Sequence, residues 1–211
     1  MRKSTLVPVL AVLVILGIFG GLYFRLYRGK SAEATTLPEG LGIAVAEESG
    51  KVMGNQGRVL LLLPVWRGIH DPLITAQRDA LVKTLGRTKS LTILATETME
   101  MERPGTMGEG ALDVEQFRQF LQKYNQAEGI ISLTGLPLLS KEAMAGLHGR
   151  KLMAVTNPGG QLKTLLQSGT LNVAIIPRRK PVDGGRKPAN AREWFAFTYE
   201  VLTPAQADSL P

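Results

Sequence analysis

The residues best suited to chemistry crowd into one stretch, Trp66-Arg67-Gly68-Ile69-His70-Asp71. Asp71 could orient His70 for proton transfer, and Arg67 with His70 could hold an anion. Thr96, Glu97, Thr134, Asn157 and Arg178 each close a short apolar run or follow it. If those runs are parallel strands, all of these residues gather beyond the strands' carboxyl ends, where open α/β sheets bind ligands. The plainer account of the same residues makes Asp71 and Asn157 helix caps, His70 a loop residue and Trp66 partly buried.

Catalysis needs more than this set supplies. There is no cysteine, and His70 and His148 match no metal-ligand spacing. A phosphate loop requires clustered glycines and a lysine, whereas Gly68 stands alone there. No Gly-x-Ser-x-Gly elbow occurs. A receiver domain needs acids at the ends of the first and third strands, and those positions hold Leu, Pro and Thr. Trp66, Arg67, His70, Asp71, Glu97, Thr134, Asn157 and Arg178 are therefore read as a ligand- or partner-binding surface. No enzyme, cofactor or metal is expected.

The elements that must position this surface begin with Gly57-Arg-Val-Leu-Leu-Leu-Leu-Pro64. Its unbroken apolar run reads as a strand buried on both faces, closed by Pro64. Asp71 as N-cap with Pro72 at the first helical position opens a helix carrying Ile74, Ala80, Leu81 and Leu85 inward until Gly86. Leu91 to Thr96 is the second strand, followed by a long loop from Glu97 to Gly110. Asp113 with Gln116 opens a helix striped by Val114, Phe117, Leu121 and Tyr124. Gly129 to Thr134 is the third strand and Lys151 to Thr156 the fourth, with a short helix from Ser140 between them. Asn157-Pro158 repeats the cap-and-proline device before Leu162, Leu165 and Leu166, and Leu171 to Ile176 is the fifth strand. Trp194 to Leu202 alternates as a final edge strand. Strands alternating with helices give a doubly wound α/β fold: a mostly parallel five-stranded sheet in flavodoxin-like order 2-1-3-4-5, plus the C-terminal edge strand.

The formal charge of +7 over 211 residues resides at the chain ends. Residues 1–30 carry Arg2, Lys3, Arg25, Arg28 and Lys30 with no acid, whereas residues 31–177 are electrically balanced. Nucleic acid is thus not an expected partner, and the basic stretch around Arg178, Arg179, Lys180, Arg186 and Lys187 lacks interleaved aromatics. Ser4 to Phe24 is uncharged and, as a helix, spans roughly 30 Å. The length of this run, the bases following it and the absence of a well-placed cleavage site favour an uncleaved single-pass anchor over a signal peptide. The expectation is a cytoplasmic (inner) membrane protein, touching lipid through residues 4–24 and displaying its soluble domain outside the cytoplasm. Residues 1–30 are then the transmembrane anchor and residues 31–56 a linker, with Leu41 to Ala46 as a short edge strand in it. Residues 57–205 form a single α/β domain.

Residues 57–177 resemble one lobe of a type I periplasmic binding protein, the fold also used as the sensor of LacI-type repressors. Three places carry the resemblance. Asp71-Pro72-Leu73-Ile74 stands where the family often has Asn-Pro followed by aromatics. Ala127-Glu128-Gly129-Ile130-Ile131 is similar to its Val-Asp-Gly-Ile-Ile, and Gly149 to Val155 is similar to its Gly-Ile-Pro-Val-Val strand. Leu73 and Ile74 replace the stacking aromatics of sugar binders, which puts sugar recognition in doubt, and the chain has residues for one lobe where the family closes two. The resemblance implies a binding or assembly module, such as a subunit or scaffold of an envelope complex with a protein partner. The alternative is a small-ligand sensor or enzyme using the strand-end cleft, with a second copy in a homodimer replacing the missing lobe.

Overall fold

The computed structural model describes residues 35–66, 71–88, 90–101, 113–140, 144–179 and 187–210. The expected anchor, residues 4–24, lies outside them; no helix among the described residues is long and apolar enough to cross a membrane.

A six-stranded sheet runs in the order β2-β1-β3-β4-β5-β6. It comprises β1 (Gln56–Trp66), β2 (Ser90–Met101), β3 (Gly129–Ser132), β4 (Lys151–Val155), β5 (Val173–Pro177) and β6 (Tyr199–Leu202). The first five are parallel and β6 pairs antiparallel with β5. This is the order read from the sequence, with the last strand on the edge.

Val59 to Leu63 are almost wholly buried, and alternate residues feed two separate cores. Leu60 and Leu62 pack with Ile130, Leu152 and Ala174 beneath Phe117 and Leu121 of α3 (Val114–Lys123) and Leu165 and Leu166 of α4 (Leu162–Gln167). Val59, Leu61 and Leu63 pack with Ile131, Met153 and Ile175 beneath Leu81 and Leu85 of α2 (Pro72–Leu85) and Leu41 and Val45 of α1 (residues 35–53). The sheet is thus sandwiched between two helical layers.

That second layer corrects the expected linker. Residues 35–53 form helix α1, and no strand occurs at Leu41 to Ala46. Leu41, Val45 and Ala46 are buried at helical spacing. Gly40 and Gly42 are what allow α1 to dock. A Cβ on Gly42 would fall on the Gln77 carbonyl oxygen and 3.1 Å from the Leu81 nitrogen. One on Gly40 would likewise strike the Ala191 carbonyl. The α/β domain therefore includes α1 rather than beginning at residue 57.

Other boundaries differ for equally local reasons. Pro64 does not end β1. The Leu133 amide donates to the Leu62 carbonyl at 2.9 Å, so even-numbered residues of β1 turn their backbone groups toward β3. Pro64 falls on that side beyond Ser132, where β3 has ended and no amide is required. The strand continues to Trp66 against a β2 that runs to Met101, so Glu97 to Met101 belong to a strand and not to the expected loop. Asn157-Pro158 does not cap a helix, because α4 starts at Leu162 with Gln161 at its N-cap. Finally, Trp194 to Thr198 are helical in α5 (Ala191–Thr198), which Asn190 caps by accepting from the Glu193 amide at 3.0 Å. Only the end of the expected edge strand, Tyr199–Leu202, is a strand.

Candidate functional site

A cleft of about 410 Å³ opens beyond the carboxyl ends of the strands. Its floor is Leu133 after β3, Val155, Thr156 and Asn157 at the end of β4, and Pro177 closing β5. One wall is the first turns of α2, with Asp71, Leu73, Ile74 and Gln77; the other is the start of α1, with Leu37, Pro38 and Leu41. Tyr199 completes the lining, and burial pushes its phenol above the ordinary tyrosine value, keeping it neutral. None of the described lining residues is basic.

The sequence-derived set divides. Asp71 and Asn157 line the cleft. Asp71 is also the N-cap of α2, its carboxylate accepting from the Leu73 amide at 2.8 Å. Thr134 is buried nearby but not in the lining; its hydroxyl bonds Ser132 Oγ at 2.8 Å and approaches Met99 Sδ at 3.7 Å. Glu97 faces α3 instead. It pairs with Lys123 at 2.7 Å and accepts from the Tyr124 hydroxyl. These two hold its carboxyl below the ordinary range, Lys123 first. Arg178 serves the fold, donating to the Ala196 carbonyl at 2.9 Å and to Glu200 at 3.4 Å. The backbone of Trp66 ends β1. Arg67 and His70 lie outside the described residues. Among the described residues, no group of acids and histidines is placed to hold a metal.

Two polar residues of the cleft were missed. Gln77 is 8% exposed and Thr156 is 6% exposed. No described group hydrogen-bonds the Gln77 carboxamide or the Thr156 hydroxyl, yet neither is sealed off without a partner. The space each reaches is the cleft. The signal for Gln77 was present in the sequence, since Ile74, Gln77 and Leu81 fall on one helical face and the middle one is polar. Thr156 reads only as the last residue of a strand.

Several solved structures that share this fold are sugar- or solute-binding proteins, some of them of ABC transporters. An arabinose-binding protein of Geobacillus stearothermophilus superposes with a TM-score of 0.58 at 17% identity, covering 83% of this chain and 64% of that one. A sugar-binding protein of a Bacillus halodurans sugar ABC transporter gives 0.57 at 10% identity, covering 83% and 65%. An ABC transporter solute-binding protein of Burkholderia graminis, solved with D-arabinose, gives 0.56 at 14% identity, covering 82% and 62%. The chain thus has a periplasmic-binding-protein-like fold and spans less than two thirds of the length of each of these proteins. No protein-family model matches it, and no curated protein matches it in sequence.

Proposed function

We propose that the chain is a membrane-anchored binding module displayed outside the cytoplasm, not an enzyme, and that the carboxyl-edge cleft is where it binds. The observation that carries this reading is the cleft itself. It lies where this fold class takes ligands, and its described lining is largely apolar with two neutral polar side chains, Gln77 and Thr156, that have no described partner. In this reading residues 4–24 hold the protein to lipid, and the described domain is one lobe of the type I, LacI-sensor-like kind. The sheet order supports that assignment.

A second reading, a protein partner or a second copy seated on the same edge, draws on its exposed apolar residues. Val65, next to the last residue of β1, and Leu73, in the first turn of α2, are 38% and 42% exposed. Such a partner would stand where two-lobed relatives close a second lobe.

The chain lacks cysteine, so a single introduced thiol reports occupancy cleanly. Leu73→Cys at the rim should react with a maleimide more slowly in native membranes than in purified, dialysed protein. Lys83→Cys, exposed at the far end of α2, should react equally in both. Equal rates for Leu73→Cys in the two preparations would remove the cleft from the account.

A further inference from the structure

Resting on that binding-module reading, we infer that the cleft selects a neutral, mainly apolar small molecule with one hydrogen-bonding head, which Gln77 and Thr156 recognise, and not a sugar or an anion. Buried polar side chains are almost always paired. Here Gln77 and Thr156, each more than nine-tenths buried as a residue, line the same space and have no described hydrogen-bond partner, and their polar atoms stay accessible rather than sealed. Both groups donate and accept, and neither carries charge. They therefore complement a hydroxyl, carbonyl or amide on a ligand.

The rest of the lining sets the ligand's body. Leu37, Leu41, Ile74 and Val155 offer no hydrogen bonds, and about 410 Å³ suits a compact organic molecule. A polyol with hydroxyls on every side would bury several of them against these side chains unpaired, which disfavours it. An anion meets the Asp71 carboxylate and no basic group among the described lining residues. The N-terminus of α2, which would otherwise attract an anion, is already capped by that carboxylate.

A matched set of probes separates these classes. The full-length chain in lipid nanodiscs is titrated with 2-naphthol by fluorescence, with empty nanodiscs subtracted, and then with 2-naphthoate and with D-arabinose as competitor. Saturable 2-naphthol binding is expected, at least about tenfold tighter than 2-naphthoate, since one hydrogen bond or one misplaced charge commonly accounts for that factor. D-arabinose should not displace it. Thr156→Val, which keeps the shape, and Gln77→Leu should each weaken 2-naphthol binding by about threefold to tenfold. Tighter binding of 2-naphthoate, or displacement by D-arabinose, overturns the ligand class while leaving the cleft as the binding site. Failure of 2-naphthol to saturate, or its indifference to both substitutions, overturns the inference outright. The Leu73→Cys protection experiment then judges the binding-module reading on its own.

Discussion

Replacing Gly42 by alanine separates a docked α1 from a flexible tether by the sign of the effect. In an exposed, unpacked helix the change stabilises by about 1 kcal/mol, because alanine loses less backbone freedom than glycine. In the docked helix the new methyl meets the Gln77 carbonyl group, with its carbon at 3.1 Å, and the Leu81 nitrogen at 3.1 Å. These are backbone atoms of α2 and cannot rotate away, so the helices must separate. Overpacking of this kind costs about 1–3 kcal/mol, and the backbone collision places Gly42→Ala at the upper end. After the propensity gain, a net loss of about 2 kcal/mol should lower the melting temperature by roughly 4–8 °C in a domain of this size. Thermal and urea unfolding, followed by circular dichroism, read it directly. Lys51→Ala, on the exposed face of α1 with its side chain 70% exposed, should change stability by under about 0.5 kcal/mol. A Gly42→Ala protein melting at or above the parent would refute the docking geometry, and with it the α1 wall of the cleft.

Leu61→Asp should unfold the domain, since Leu61 is 0% exposed between the helical layers and an unpaired buried charge costs several kcal/mol against a total of about 5–15 kcal/mol; parental melting would place β1 wrongly. For Glu97 the folded carboxyl is held low by Lys123 and Tyr124, so its contribution is present above the ordinary carboxylate range and lost as pH falls through the folded value. Glu97→Gln should accordingly flatten the fall in stability with acid, as read by urea midpoints across the acidic range, and an unchanged slope would contradict the pairing. The intact protein should resist carbonate extraction from membranes and retain its first residues on N-terminal sequencing, whereas a soluble product starting near Thr35 would dispose of the anchor.

Much of the architecture was legible because its signals are local. The unbroken run Val59 to Leu63, the Asp71-Pro72 cap and the Phe117 and Leu121 stripe each specify an element without distant information. The failures share a cause, which is that tertiary contact decides what a breaker means. Residues 31–56 read as a linker with a short strand at Leu41 to Ala46, but Gly40 and Gly42 there serve the close approach of α1 to α5 and α2. Pro64 reads as a stop, yet it sits opposite the vacant end of β3. The aromatics of α5 alternate on paper, although the contacts Trp194–Phe197 and Phe195–Tyr199 follow helical spacings. At the site, topology brought Asp71 and Asn157 to the cleft. It sent Glu97 to α3, because β2 runs on to Met101 and the pleat turns this mid-strand side chain toward that helical layer. Gln77 was visible as a polar break in an apolar stripe, but its lack of a partner is a property of the fold alone.

Native mass spectrometry of the full-length chain, released from its own membranes in mild detergent, tests the central claim most directly. The parent should carry a small noncovalent ligand, and Gln77→Leu and Thr156→Val should each carry less of it while remaining folded. Parent and variants retaining the same bound masses in the same amounts would contradict the assignment of the carboxyl-edge cleft as the binding site.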